Sequence, residues 1–313
     1  MPADAAVTTL ALSSALSPAD VGDRFHRFLL GLPPSDTAEP SAVELATLNR
    51  LELLHTRFDM RSLPRLPTIL PQLLRTLKND NAAGGQLAKL VGRDPQMVGE
   101  VMRVTSSVYY RAAQPITSLQ HAVMVLGQDG LRQVLTQHAM KPILQASAGA
   151  LGHAAGKRLW DHAERCAHAC AWLGRTSGCD TFEAYLAGII CHAGTGAVVR
   201  LLDQLMPAAS SDPPSSGFLD RCAQLAARLS LQAAQHWELP PHVIEALREC
   251  PHPGASSPLG EALASADLLA MAQLLNEHQQ LTGDLDLSHS SDIYAPSLLA
   301  RCQQDLQRQF PHG

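Results

Sequence analysis

The chain has 313 residues, 46% of them hydrophobic, which is enough to bury the core of one large or two ordinary domains. Its 24 basic residues against 29 acidic ones, with only 4% aromatics, exclude the basic surface of a typical nucleic-acid-binding protein. Seven cysteines, an odd number without C-x-x-C spacing, favour free thiols in a reducing compartment. The chain has neither a basic leader nor an uninterrupted apolar run of about 18 residues, so we expect a cytoplasmic protein that does not cross a membrane.

The N-terminal part of the chain contains an amphipathic segment at residues 19–32. Its apolar residues recur at helical spacing, at Val21, Phe25, Phe28 and Leu29. Such a helix either packs on the rest of the protein or captures a partner, and packing is the favoured prediction. A Pro- and Ser-rich stretch follows near residue 37. We therefore assign residues 1–50 to an N-terminal helical extension.

The remainder of the chain has the apolar periodicity of helices and no convincing alternation of strands. Phe182, Leu186 and Ile189 illustrate this spacing. Asp94 followed by Pro95 is a typical helix start, with an N-cap acceptor and proline at the first helical position. The sequence predicts an all-α fold.

A set of spaced marks extends over about 70 residues and comprises Leu63, Pro64, Leu66, Pro67, Asp94, Pro95, Ser107, Tyr109, Leu126 and Gly127. Their order and spacing resemble those of the HDOD family, the HD-related output domain of bacterial signalling proteins. One departure is Ser106, which stands where the family usually has asparagine before serine. Individually each mark has an ordinary structural role, such as capping, and only their joint spacing carries the resemblance.

The resemblance implies an HD-domain-like architecture of two packed helical subdomains. We place the HDOD domain at residues 55–260, divided into an N-terminal subdomain at 55–150 and a degenerate HD-like subdomain at 151–260. The remaining residues, 261–313, are expected to supply helices that complete the HD-like core.

HD-type phosphohydrolases, to which the family is related, chelate divalent metals with a histidine, a His-Asp pair and a later aspartate. The resemblance places these positions at His162, His192, Ala193 and Asp267, with His236 and His252 as looser candidates. Alanine offers no lone pair where a hard, water-activating ion needs an anionic oxygen. A site of two imidazoles and one carboxylate is weak for such ions, although zinc accepts nitrogen and oxygen ligands. We therefore expect vestigial metal positions, no bound metal and no cofactor.

Helical spacing places His162, His192 and Asp267 on apolar faces. Buried polar groups need partners, because leaving them unpaired costs a few kcal/mol each. One hypothesis is that Asp267 forms a hydrogen bond with His162 or His192. The alternative is that each histidine is satisfied separately by a backbone carbonyl or by water.

Two further patterns have both a functional and a structural interpretation. His162, Cys166 and Cys170 share one helix face and suggest a soft zinc site, but buried cysteines usually act as small apolar residues, and that is the favoured interpretation. The "GTGAVV" stretch after His192 lacks the strand and lysine of a phosphate-binding loop. It is interpreted as the turn by which the chain re-enters a helix.

The sequence favours a non-catalytic signal-transduction module that binds other signalling proteins in a bacterial sensory or second-messenger pathway. The alternative is a residual metal-dependent phosphohydrolase or phosphodiesterase acting on a nucleotide or cyclic dinucleotide. A pocket that binds a small molecule without turning it over is a third interpretation. Nucleic acid and membrane are not expected as partners.

Overall fold

The computed structural model describes residues 16–56, 87–89, 91–105, 116, 118–145, 152–205, 212–250, 255–281, 291 and 293–311. These residues form eleven helices and no β-strand, which confirms the predicted all-α class. The helices are α1 (Pro18–Leu30), α2 (Ala42–Thr56), α3 (Pro95–Thr105), α4 (Leu119–Gln145), α5 (Gly152–Thr176), α6 (Thr181–Ile190), α7 (Ala193–Leu205), α8 (Ser216–His236), α9 (Pro241–Glu249), α10 (Pro258–Glu277) and α11 (Pro296–Gln309).

Side-chain caps begin several of these helices. Asp94 Oδ1 accepts hydrogen bonds from the backbone of Gln96 and Met97, and Pro95 is the first residue of α3, as predicted. Asp180 caps α6 in the same way. Gly127 has a φ of 66° and produces a kink inside α4, where an L side chain would be strained.

Helix α5 is the centre of the fold and packs against α4, α6 and α10. Small residues on the contact faces let α5 and α6 approach closely. A Cβ added at Gly188 of α6 would lie 2.6 Å from the Cα of Ala167 on α5. This close approach places residues at the end of α6 directly beside the middle of α5.

Helix α1 packs against the rest of the protein and is part of its core, as predicted from its apolar spacing. Val21 and Phe25 are fully buried in a cluster that includes residues of α10. The buried Arg27 guanidinium pairs with Asp23 and donates to the carbonyl of Pro214 just before α8. These contacts anchor α1 across the part of the molecule formed by α5, α8 and α10.

Two of the expected domain boundaries fall inside helices. The limit at residues 50–55 lies within α2, and that at 260–261 lies within α10. Helix α10 also packs against α5. The expected division at 150–151 lies outside the described residues, as do the family marks Leu63, Pro64, Leu66, Pro67, Ser107 and Tyr109.

One stretch, Thr181–Leu205, is long and apolar enough to cross a membrane by length and composition. It comprises α6 and α7, which are separated by a turn at Cys191 and His192. Because 78% of its most apolar window is buried inside the protein, the hydropathy of this stretch is that of a core element.

Candidate functional site

Three helices bring the predicted residues together at one point. His162 lies in the middle of α5, His192 in the turn between α6 and α7, and Asp267 in the middle of α10. One donor atom from each lies within 4.8 Å of the others. The imidazole centroids are 4.6 Å apart and the ring planes are nearly perpendicular, at 84°.

His192 is satisfied at both ring nitrogens. Its Nε2 lies 2.9 Å from Asp267 Oδ1 in a hydrogen bond, as the pairing hypothesis predicted. Its Nδ1 lies 3.2 Å from Thr195 Oγ1. Burial alone would lower the pKa of His192, but the charge of Asp267 raises it to about 9. At neutral pH His192 is therefore an imidazolium that donates to Asp267.

His162 differs although it faces the same oxygen. Its Nε2 lies 3.0 Å from Asp267 Oδ1 in an ion-pair contact, but neither ring nitrogen makes a hydrogen bond of ordinary geometry among the described residues. The side chain is 0% exposed, and this burial lowers the pKa of His162, so the ring is neutral at pH 7. A fully buried imidazole with two unpartnered nitrogens is costly in a protein core.

Asp267 is ionised. Burial alone would raise the pKa of its carboxyl group, but the two neighbouring histidines, His192 foremost, hold that pKa well below its ordinary value. The centre therefore contains an Asp267–His192 ion pair and a neutral His162.

Helix α1 covers the centre. The ring of Phe25 lies 4.7 Å from that of His162 and 5.9 Å from that of His192, centroid to centroid. The next residue, His26, lines a cavity of about 160 Å³ beside His192 and Asp267. The apolar spacing of α1 predicted a packed helix but gave no sign that Phe25 packs against the histidines, because that contact is made between residues distant in sequence.

Two cysteines lie close to the same carboxylate. Cys166 Sγ and Cys191 Sγ are 3.7 Å apart, and both lie within 4.8 Å of an oxygen of Asp267. Burial raises the pKa of the Cys166 thiol, so it is protonated and unreactive as a nucleophile. Cys170, which the disfavoured soft-zinc interpretation grouped with His162 and Cys166, is buried in the core outside both groups of donor atoms.

Other predicted positions do not join the centre. His236 is exposed at the end of α8 and does not belong to either group of converging donors, and His252 lies outside the described residues. The interpretation of "GTGAVV" as a turn is wrong: Cys191 and His192 form the turn, and Gly194 and Gly196 already belong to α7. Gly194 is required there because a Cβ would collide with the Ala226 carbonyl of α8.

The donor set does not fit the hard-metal centre of an HD-type hydrolase. His162, His192 and Asp267 converge, but Ala193 provides a methyl group where such a centre has its second carboxylate. In the described part of the chain only one other group of three donors was found, and it adds two cysteines around the same Asp267. Thiols and imidazoles suit borderline ions such as zinc better than magnesium or manganese.

Comparison with known proteins identifies the family and the fold. An uncharacterized protein of Treponema pallidum is 24% identical over 220 residues, which is 66% of this chain, and the match spans 42% of that protein's length. A Geobacter sulfurreducens HDOD domain protein of unknown function superposes with a TM-score of 0.58 at 19% identity, covering 85% of this chain and 99% of that one. For a candidate metal-dependent phosphohydrolase from Shewanella amazonensis the TM-score is 0.59 at 16% identity, covering 86% and 99%. The family model of the HDOD domain matches residues 63–253, and the chain belongs to this family.

Proposed function

We propose that the protein is a non-catalytic signal-transduction module that acts by binding other proteins, in a bacterial sensory or second-messenger pathway. The observation that carries this proposal is the centre itself. Ala193 replaces a carboxylate that a hydrolytic metal would need, and the remaining carboxylate, Asp267, is already paired with the His192 imidazolium. The chain therefore keeps the helical framework, but it lacks at Ala193 the carboxylate that a hydrolytic metal would need.

The neighbouring cavity supports the same proposal. Its described lining includes the carboxylates of Asp220 and Asp267 and the imidazoles of His26 and His192, with no lysine or arginine. A phosphoester substrate is anionic and is normally held by cationic groups or by a metal, whereas the His192 imidazolium on this lining is already paired with Asp267. The volume of about 160 Å³ is also small beside the roughly 300–1,000 Å³ of typical ligand sites.

The second candidate function is residual metal-dependent phosphoester hydrolysis. What favours it is the convergence of His162, His192 and Asp267, whose donor atoms lie within 4.8 Å of one another. The candidate phosphohydrolase from Shewanella amazonensis has a similar fold, and at 16% identity this likeness is evidence for the fold alone.

A turnover assay separates the two functions. The purified chain, incubated with excess Mn²⁺ and either a cyclic dinucleotide or an activated phosphodiester, is expected to give no hydrolysis above the protein-free rate. Ala193→Asp restores the missing carboxylate and serves as the gain-of-function control. Hydrolysis by the wild-type chain that disappears in Asp267→Asn would contradict the proposal and establish the alternative.

An interaction experiment tests the binding role directly. Among the described residues, α2 exposes several large apolar side chains, including Val43 (72% exposed) and Leu53 (58%). Partners cross-linked in the native host are expected to be lost when both residues are changed to glutamate. Ile293→Glu, at an exposed apolar residue elsewhere, is the matched control and should retain them. Identical partner sets for all three proteins would contradict a role for this surface.

A further inference from the structure

A second cavity lies between α5, α10 and the end of α11, and it shares no lining residue with the cavity beside His192. Its volume of about 550 Å³ falls within the roughly 300–1,000 Å³ of typical ligand sites. Three carboxylates, one guanidinium and one imidazole line it, together with apolar side chains that include Leu274 and Phe310. This size and these mixed walls suit a small polar molecule that also carries some apolar surface.

The guanidinium on these walls is already neutralised. Arg165 donates from Nη2 and Nε to the two carboxylate oxygens of Glu277, at 2.6 and 3.2 Å, and from Nη1 to the Asp161 carbonyl at 2.8 Å. Its guanidinium carbon also lies over the ring of Phe310, 4.7 Å from the centroid. The Glu277 side chain is only 9% exposed, so this two-point pair is a fixed part of the wall. Arg165 therefore does not make the cavity attractive to an anion.

The other two carboxylates on these walls form no ion pair among the described residues. Asp161 and Glu164 lie three residues apart on one face of α5. Glu164 accepts a hydrogen bond from Gln137 Nε2 at 3.2 Å, and no side-chain hydrogen bond of Asp161 is made in the described part of the chain. Burial raises the pKa of Asp161 and raises the pKa of Glu164 to about 7, because the charge of nearby Lys141 only partly offsets desolvation. Uncompensated carboxylates in a cavity mark a candidate site for a positive charge.

An independent observation is an unsatisfied acceptor on the α11 side of the same cavity. Gln309 Oε1 is buried and has no hydrogen-bond partner among the described residues. The imidazole of His278 does not supply one, because its Nδ1 faces the Leu274 carbonyl at 3.0 Å. A buried acceptor without a donor costs free energy, and a ligand that brings N–H groups removes that cost. The unengaged oxygens of Asp161 and Gln309 therefore both call for donors.

An extended cation fits these oxygens better than a metal ion does. In the described part of the chain, Asp161 and Glu164 belong to no group of three donors within 4.8 Å of one another, as the ligands of one ion would. A guanidinium carries five N–H donors in one plane, pairs with carboxylates through two-point contacts and is weakly hydrated. The apolar surfaces of Leu274 and Phe310 suit an alkyl chain attached to it.

We propose that this cavity binds an alkylguanidinium cation, with Asp161 and Glu164 pairing with the guanidinium and Gln309 accepting a further hydrogen bond. The cation is either a free small molecule or an arginine side chain presented by another protein, since both carry the same group. The inference does not depend on the proposed function, because it uses neither the residues of the histidine centre nor the apolar surface of α2.

Calorimetric titration of the full chain at pH 8, where Glu164 is ionised, tests the site with two probes. Butylguanidinium represents the free cation, and a short glycine–arginine–glycine peptide with blocked ends represents the side chain of a partner. Binding of at least one probe is expected, and the probe that binds identifies the source. Butylurea has nearly the same shape without the charge and should bind at least roughly tenfold more weakly. No binding of either probe at millimolar concentration, or equal binding of butylurea, would overturn the proposal.

Isosteric variants locate the contacts. Asp161→Asn and Glu164→Gln should each weaken binding by roughly tenfold or more, because each removes one charged acceptor. Asp220→Asn removes the same charge from the cavity beside His192 and should leave the affinity unchanged. Since burial disfavours the ionised forms of Asp161 and Glu164, their neutral variants should not lower the thermal midpoint, which separates lost binding from lost folding. Wild-type affinity in both Asp161→Asn and Glu164→Gln would place the cation elsewhere and overturn the proposal.

Discussion

Two aspartate–histidine pairs connect elements that are distant in sequence. His192, in the turn between α6 and α7, pairs with Asp267 of α10, and His168 of α5 pairs with Asp305 of α11. His192 Nε2 lies 2.9 Å from Asp267, and His168 Nε2 lies 2.8 Å from Asp305 of α11. The second pair is partly open to solvent, with side chains 20% and 30% exposed, and among the described residues its one carboxylate faces a single imidazole. The first pair lies beneath Phe25 and shares its carboxylate with the buried His162.

This difference shows that the distance between imidazole and carboxylate does not by itself determine how much such a pair contributes to stability. Water screens the His168–Asp305 interaction and can replace it, as is usual for exposed ion pairs. In the core, removing one member of the His192–Asp267 pair leaves the other charge unpaired at low dielectric. The buried pair is therefore expected to dominate both the stability and the chemistry of this region.

Removing the two carboxylates provides the largest contrast. Asp267→Ala should lower the free energy of unfolding by about 3–5 kcal/mol, because it leaves the His192 imidazolium buried without a partner. Asp305→Ala should lower it by about 0.2–1 kcal/mol. Urea denaturation of metal-free protein in chelator measures both, and equal losses would show that the buried pair has no special cost.

The aromatic covers of the two pairs are also expected to differ. Phe25 is fully buried against His162 and His192, and Phe25→Ala should cost about 3 kcal/mol, at the low end for a buried phenylalanine because the imidazoles can relax into the space. Phe310 approaches His168 at 6.0 Å in a part-exposed setting, and Phe310→Ala should cost about 1 kcal/mol. Thermal and urea unfolding test the order, and a larger effect at Phe310 would reverse the comparison.

The pH dependence of stability should report the buried pair. The pKa of His192 is raised from 6.5 to about 9 in the folded protein, so its contribution is fully present below pH 6.5 and is lost as the pH rises to about 9. For metal-free protein the loss should be roughly 1–3 kcal/mol. His192→Asn should flatten this part of the profile. A flat wild-type profile between pH 6.5 and 9 would contradict the assignment.

Within the buried pair, the smallest expected effect is at the second contact of His192. Thr195→Val removes the hydroxyl that faces Nδ1 at 3.2 Å and should cost about 1 kcal/mol. A double-mutant cycle with His192→Asn measures how much of that loss belongs to this contact. A coupling energy near zero would show that Thr195 does not hold the ring.

Much of the fold could be predicted from the sequence because its signals are local. Helix α3 begins at Pro95 with Asp94 as its cap, and α1 buries the face that its spacing indicates. The positions of His162, His192 and Asp267 came from the family resemblance, and the structure brings them together. Their hydrogen-bonding states did not follow, because periodicity indicates which face a residue occupies and not what lies opposite it.

By itself the sequence determined the helical class, the family and the absence of a carboxylate at Ala193, since composition, periodicity and motif spacing are written along the chain. Only the tertiary structure decided that Phe25 covers the histidines and that Cys191 joins Cys166 beside Asp267. It also decided that both ring nitrogens of His192 are hydrogen-bonded, whereas neither nitrogen of His162 makes a hydrogen bond among the described residues. These features depend on the close packing of α1, α5, α6 and α10, which sets angles and distances between residues far apart in sequence.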